Sequence, residues 1–252
     1  MGSIGGEFRG GYAADMIAII TNDDGIDAPG LAAFEAACRG RATRLIVVAP
    51  KHPHSGCGHR ITTDRPLAME KVGPDRYHVD GTPADCVRLA LANPATTGGQ
   101  AIDWVLSGIN EGGNLGVDIH HSGTVAAARE AAMHGIRAVA ASQYRRREAT
   151  IDWERAAAWM ADVLGHLVSE APGLAAGEFW NVNLPHPPDG EQAGRPPIVA
   201  CGFDPSPLPI GYAEEPAGWR YRSRYQERGR LPGHDVATCF GGQIALTRGR
   251  VV

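Results

Sequence analysis

Cysteine is scarce in this chain: the five present (Cys38, Cys57, Cys86, Cys201 and Cys239) are scattered and odd in number, which gives no disulfide framework. A secretory hydrophobic region is missing, and no apolar run is long enough to span a bilayer. These absences point to a reduced, cytoplasmic protein that does not engage a membrane. Strong charge of either sign is also lacking, with a formal net charge of -4 and a pI near 6.2. Such a balance gives no electrostatic reason to expect a nucleic-acid polymer as partner. A small anionic ligand stays open, because backbone dipoles or a metal outweigh a weak global charge. No G-x-S-x-G elbow occurs, so a Ser-His hydrolase has little support, and the adjacency of His121 and Ser122 does not orient a triad. No Gly-Lys-Ser/Thr closes a Walker loop, and the G-x-G-x-x-G spacing of dinucleotide folds is absent. Internal repeats are absent as well.

What is present is an ordinary globular composition, 43% hydrophobic and 21% charged, with 33 glycines and 18 prolines that suit many functional loops. The length of 252 residues accommodates one core with an extension. Residues 1–14, rich in glycine, read as a tag or flexible leader outside the fold. Met16–Thr21 is a β-branched apolar run suited to a strand buried on both faces, ending in the turn Asn22-Asp23-Asp24-Gly25. Pro29 opens a helix with Leu31, Phe34 and Cys38 on one face, and Arg44–Ala49 is a second buried strand. Strand, helix and strand at this spacing make a βαβ unit and imply a parallel sheet.

Further along, Ile61–Val79 reads as a hairpin excursion, and Thr82, Pro83 and Asp85 open the next helix with a cap, a first-turn proline and a dipole-matched acid. Asp103–Ser107 is a strand that feeds a Gly-rich loop, after which Thr124 is expected to cap an Ala-rich helix ending near His134. A strand at Arg137–Ser142, a helix from Asp152 to about Ser169 and a strand at Trp180–Leu184 follow. Helical periodicity then fades and Pro, Gly and aromatic residues increase, so the catalytic core is expected to span 15–190 and a β-rich extension 191–252.

Ligands of open parallel sheets bind beyond the carboxyl ends of the strands. Three such ends carry unusual polar loops: Asn22–Gly25, His52–His59, and Ser107–Asn110 continuing to Ser122–Thr124. Asp23 and Asp24 repel one another and so favour a cation beside them, although a solvated turn is the plainer reading of the motif alone. The run is not an EF-hand, because Gly25 in the turn position would put Ile20 and Leu31 at the ligand ends. His52, His54, Cys57 and His59 are possible zinc ligands, but their spacing matches no compact zinc module. In the same loop Ser55 reads as a hydroxyl ligand or a phosphate contact. Gly108, Gly112, Gly113, Gly116 and Gly123 let backbone N–H groups approach an anion, and the helix that follows offers its positive end to a phosphate.

Several blocks in fixed order resemble the SurE family. They are Thr21–Ile26 with Ala28–Leu31, Val47–Pro50 with Ser55, Gly81–Val87, Ser107–Asn110 with Gly112, Asn114 and Gly116, Ser122–Val125, and Asn181–Pro185. The resemblance covers about residues 16–185 and implies an α/β fold, a Rossmann-like parallel three-layer core with an oligomer-forming β-rich C-terminal extension. It implies a divalent-metal phosphomonoesterase for nucleoside 5′- or 3′-monophosphates, assembled as a homodimer or homotetramer. One metal per subunit is expected on Asp23, Asp24, Ser55 and Asn110, an all-oxygen set that suits Mg²⁺ or Mn²⁺, or Ca²⁺ in crystals, over zinc. Gly108, Ser122, Gly123 and Thr124 are expected to hold the phosphate, with Asn114 and His121 as substrate contact or proton donor. Asp23, Asp24, Asn110 and His121 are thereby the catalytic expectation.

The extension departs from the family pattern. Asp204-Pro205 runs into Ser206–Pro209, Trp219 and Tyr221 stand alone near the aromatic position, and Arg248 follows Ala245–Thr247. A SurE-like phosphatase for another phosphomonoester, or a non-catalytic nucleotide- or metal-binding module, are the alternative readings.

Overall fold

The computed structural model describes residues 16–146, 149–169, 173–186 and 194–251. The expected leader and part of the expected boundary near residue 190 lie outside the described residues. Strand β1 (Ile17–Thr21), helix α1 (Pro29–Ala37) and strand β2 (Arg44–Pro50) form the first unit. The excursion β3 (Met69–Gly73) and β4 (Arg76–Val79) precedes α2 (Pro83–Ala92), the short α3 (Pro94–Thr97) and β5 (Trp104–Glu111). Then α4 (Gly123–Met133), β6 (Arg137–Gln143), α5 (Trp153–Ser169) and β7 (Glu178–Leu184) continue the alternation. The C-terminal part supplies β8 (Ile198–Ala200), the hairpin β9 (Tyr212–Glu215) and β10 (Gly218–Tyr221), α6 (Asp235–Phe240) and β11 (Ile244–Arg250).

The main sheet runs β3-β4-β2-β1-β5-β6-β7-β11-β8. Strands β4, β2, β1, β5, β6 and β7 are parallel, whereas β3 pairs antiparallel with β4 and β11 antiparallel with β7. Strand side chains alternate between two apolar clusters. Ala18 and Ile20 of β1 join Leu31 and Phe34 of α1 and Met160 and Val163 of α5 on one face. Ile17 and Ile19 join Val87 and Ala90 of α2 and Val125 and Ala128 of α4 on the other. Burial on both faces is why these strands are continuous apolar runs, and the result is a three-layer, Rossmann-like α/β fold.

Two expected helix starts meet different outcomes in the structure. Thr82 and Asp85 form a reciprocal capping box at α2, with Thr82 Oγ1 accepting from the Asp85 amide at 3.2 Å and Asp85 Oδ2 accepting from the Thr82 amide at 3.0 Å. Helix α4, by contrast, is capped by Ser122 rather than Thr124: Ser122 Oγ accepts from the Val125 amide at 3.0 Å. The cap falls two residues earlier because Thr124 turns its hydroxyl to a different partner. Beyond residue 190, β8 and β11 join the main sheet, so that sheet takes strands from both sides of the expected boundary. The β9–β10 hairpin forms a separate two-stranded sheet.

The connections that leave β1 matter most for a ligand. Strand β2 lies on one side of β1 and β5 on the other, so the chain order reverses at β1. The carboxyl ends of β1 and β5 thus flank a topological switch point, where open α/β sheets bind ligands.

Candidate functional site

Asp23 and Asp24 follow directly from β1, and Asn110 lies near the end of β5. Asp23 is 4% exposed. Its Oδ1 accepts a 2.5 Å hydrogen bond from the Thr124 hydroxyl at the start of α4. Its backbone oxygen accepts from the His54 amide at 2.7 Å, which ties the loop that carries Ser55 to the turn after β1. Gly123 makes the close approach possible: a Cβ there would fall 2.9 Å from both Asp23 Cβ and Cys57 Sγ. The loop is also pinned by the Gly58 amide donating to the His121 carbonyl at 2.9 Å. Asp24 Oδ2 accepts from the Glu111 amide at 3.0 Å. The three loops singled out in the sequence therefore meet at one corner.

Electrostatics at this corner are uncompensated. Burial raises the Asp23 carboxyl above its ordinary value, against the pull of the Thr124 hydroxyl and the Thr124 and Gly123 amides. Asp24 is pushed up to about 6, chiefly by burial, with the Glu111 amide opposing and the charges of Asp23 and Glu111 adding to the rise. Among the described residues, no Lys or Arg forms an ion pair with either carboxylate. Two adjacent carboxylates, one buried and one half-buried, without a cationic partner have the hard-oxygen chemistry that fits a divalent cation. Asn110 Nδ2 donates to the Gly112 carbonyl at 2.7 Å, which commits its nitrogen to the loop.

Other expected site residues have different surroundings. Gly108 is buried at an irregularity in the β5–β6 pairing, and a Cβ there would come within 2.2 Å of the Ala141 carbonyl oxygen. Its lack of a side chain serves the sheet. Asn114 is buried, with Nδ2 donating to Ser142 Oγ at 2.8 Å and its backbone oxygen accepting from Asn181 and Asn183 at 3.1 and 3.0 Å. Ser122 is the helix cap and Thr124 the Asp23 partner, while Gly123 supplies space at the Asp23 carboxylate. His121 is exposed at the rim. The His52–His59 loop does not gather its histidines into one cluster, and no group of three His, Cys, Asp or Glu side chains that could hold a metal occurs among the described residues. His59 instead donates to or accepts from Glu130 at 2.7 Å.

Glu130 carries little local signal in the sequence. It sits in α4 with a side chain 3% exposed, held by His59 at 2.7 Å, Arg88 at 2.7 Å and His134 at 3.0 Å. Its one readable signal was the i, i+4 spacing to His134. Burial alone would raise its carboxyl, yet the three partners hold it at about 2, below the ordinary 4.5. A carboxylate depressed on folding contributes stability that is present above pH 4.5 and lost as pH falls toward 2. Glu130→Gln is therefore expected to lower the urea midpoint at pH 7 and to flatten its decline between those limits. Equal pH slopes for the two proteins would remove Glu130 from the account.

Paired carboxylates at the switch point of a Rossmann-like sheet define the class: an α/β protein with two adjacent acids facing a helix N-terminus. Comparison with known proteins narrows it. The chain belongs to the SurE family, since the family model described as Survival protein SurE matches residues 18–198. A relative from Nostoc sp. is 49% identical over 236 residues, covering 94% of this chain and 100% of the relative. The 5′-nucleotidase SurE of Paramagnetospirillum magneticum is 38% identical over 233 residues, covering 91% of this chain and 87% of that protein. The crystal structure of SurE protein from Aquifex aeolicus superposes with a TM-score of 0.77 at 33% identity and covers 94% of both chains.

Proposed function

We propose that the protein is a divalent-metal-dependent phosphomonoesterase that hydrolyses nucleoside 5′- or 3′-monophosphates to nucleoside and phosphate. The observation that carries this reading is the pair Asp23–Asp24, the first buried and the second half-buried, without a cationic partner at the β1/β5 switch point beside the start of α4. Relatives named 5′-nucleotidase SurE support the same activity. Asp23, Asp24, Asn110 and Ser55 would hold one Mg²⁺ or Mn²⁺ per subunit. When bound, that ion supplies charge to a phosphate oxygen and lowers the pKa of a water.

The protein's own part is positioning. Thr124 fixes the carboxylate plane of Asp23, and Asn110 is fixed by Gly112. Ser122 caps α4, whose positive end favours the approach of a dianionic phosphate. His121, exposed beside the Ser55 loop, is the proton donor to the leaving alcohol. A recess of about 280 Å³ lined by Lys51, His52, Ala68, Glu70, His78 and Asp80 offers both donors and acceptors to the nucleoside portion. One of its lining residues, His52, packs against the turn that follows Asp24: its backbone lies 3.6 Å from where a Gly25 Cβ would be.

The exposed aromatics Tyr212, Trp219 and Tyr221 of the β9–β10 hairpin suit an arm toward a second subunit in a homodimer or homotetramer. A cytoplasmic setting belongs to the same reading, and no helix among the described residues is long and apolar enough to cross a membrane. The unusual composition of residues 204–221 favours a second reading, in which the substrate is a different phosphomonoester. Phosphate release from nucleoside monophosphates, sugar phosphates and other phosphomonoesters, each with Mn²⁺ and with Mg²⁺, separates the two. Preferential release from nucleotides is expected. Turnover confined to non-nucleotide esters would move the second reading ahead, and intact substrates throughout would leave a binding module.

A further inference from the structure

The loop between Asn110 and Thr124 connects two groups at the candidate site, and its midpoint is held by residues more than a hundred positions away. Asp118 Oδ2 accepts from the Tyr225 hydroxyl at 2.7 Å, from Arg228 Nη1 at 2.5 Å and from the Leu115 amide of its own loop at 3.1 Å. Arg228 Nη2 donates to the Leu115 carbonyl at 3.0 Å, so a single guanidinium spans the loop's backbone and its acid. The Gly116 amide donates to Asp235 Oδ2 at 2.7 Å. Gly116 itself has φ +53, and a Cβ there would lie 2.4 Å from the Asp204 carbonyl oxygen. The Arg228 side chain is 1% exposed and that of Asp118 11%.

This arrangement is more than a surface ion pair. A buried guanidinium is costly to dehydrate, and Arg228 Nε has no partner. Such a group gives geometric definition: Arg presents a rigid fork, and its two N–H bonds fix the loop in position and rotation together. Burial alone would lower the guanidinium's pKa, but Asp118 outweighs that and keeps it charged. Burial and the Asp118 charge push the Tyr225 phenol well above its ordinary range, so it remains a donor. On its other side the loop is fixed by Asn114 to Ser142, Asn181 and Asn183. With both flanks tied, its two ends are held too, and those ends carry Asn110 and the Thr124 that orients Asp23.

We infer that Tyr225 and Arg228, acting through Asp118, are positioning residues for the metal and phosphate site, so that the C-terminal segment completes the active centre of its own chain. The kinetic consequence rests on the phosphatase reading above, whereas the metal-binding consequence does not. The test uses the full chain with Tyr225→Phe, Arg228→Lys and Arg228→Met. Each protein is characterised by Mn²⁺ calorimetry, by kcat and KM for nucleotide hydrolysis, and by thermal melting. Phe keeps the ring and loses the donor. Lys keeps the charge but cannot span Asp118 and the Leu115 carbonyl together.

The expected result for Tyr225→Phe and Arg228→Lys is a Tm close to native, with Mn²⁺ bound about tenfold more weakly. Their kcat should fall about tenfold, with KM changed by less than about twofold. Arg228→Met should lose more than Arg228→Lys, the difference being rescue by charge. If Arg228→Met does not fold, the other two variants still decide the matter. Native Mn²⁺ affinity and native kcat in Tyr225→Phe and Arg228→Lys, with or without a lower Tm, would overturn the inference and leave a purely structural clamp. A native protein that releases no phosphate would sink the phosphatase reading, while the calorimetry would still decide the clamp.

Discussion

Asp23→Asn should reduce phosphate release by at least about a thousandfold while leaving the fold intact. The carboxylate is buried, and burial is the foremost influence on its proton affinity, stronger than the hydroxyl and amide bonds that oppose it. Without a cation, the folded chain holds a poorly compensated charge there. An amide of the same shape removes that cost and still accepts from Thr124 through its oxygen. The melting temperature is thus expected to stay level or rise as activity disappears. This opposite movement separates a residue kept for chemistry from one kept for stability. A variant that retains near-native turnover with metal present would show that Asp23 is not a ligand.

Gly108→Ala should have the reverse signature, with stability and activity lost together. The backbone at Gly108 has φ +131, a conformation that L side chains rarely adopt, and the new Cβ would meet the Ala141 carbonyl oxygen at 2.2 Å. That oxygen belongs to β6, the strand paired with β5, so neither side can move without opening the sheet. Backbone strain and overpacking together should cost about 3 kcal/mol or more. For a chain of this size that lowers Tm by roughly 6–12 °C. A Gly108→Ala protein that melts with the native chain but no longer binds phosphate would restore Gly108 to the ligand contacts expected of it from sequence.

These two residues show where the sequence was informative. Asp23 and Asp24 stood out because paired acids at the end of a strand buried on both faces are unusual. The strands themselves were legible for a related reason: residues 17–20 and 45–50 are continuous apolar runs, which a parallel sheet with two covered faces requires. Gly108 was legible as special, but its cause was not. A glycine needed for close approach to a ligand and one needed for close approach to a neighbouring strand look the same in a linear sequence.

Other features depended on contacts without local signal. The 2-1-5 order of strands that makes the switch point arises from pairing between segments far apart in the chain. Thr124 suits a helix cap on sequence, as hydroxyl residues at a helix start usually do, but its hydroxyl is taken by Asp23, which leaves the cap to Ser122. Asp118 lies 107 positions from Tyr225 and 110 from Arg228, and nothing in the spacing of the extension marks either as a partner of the Gly-rich loop. The departures from the family pattern between Asp204 and Tyr221 stop short of Tyr225 and Arg228, the residues that hydrogen-bond Asp118.

The most direct test of the account is the rate of phosphate release from a nucleoside monophosphate by the native chain, first stripped with EDTA and then titrated with Mn²⁺. The account predicts no release in the chelated protein and recovery that saturates at one ion per subunit. Undiminished hydrolysis in EDTA would contradict it, because the paired carboxylates at the switch point would then have no cation to hold.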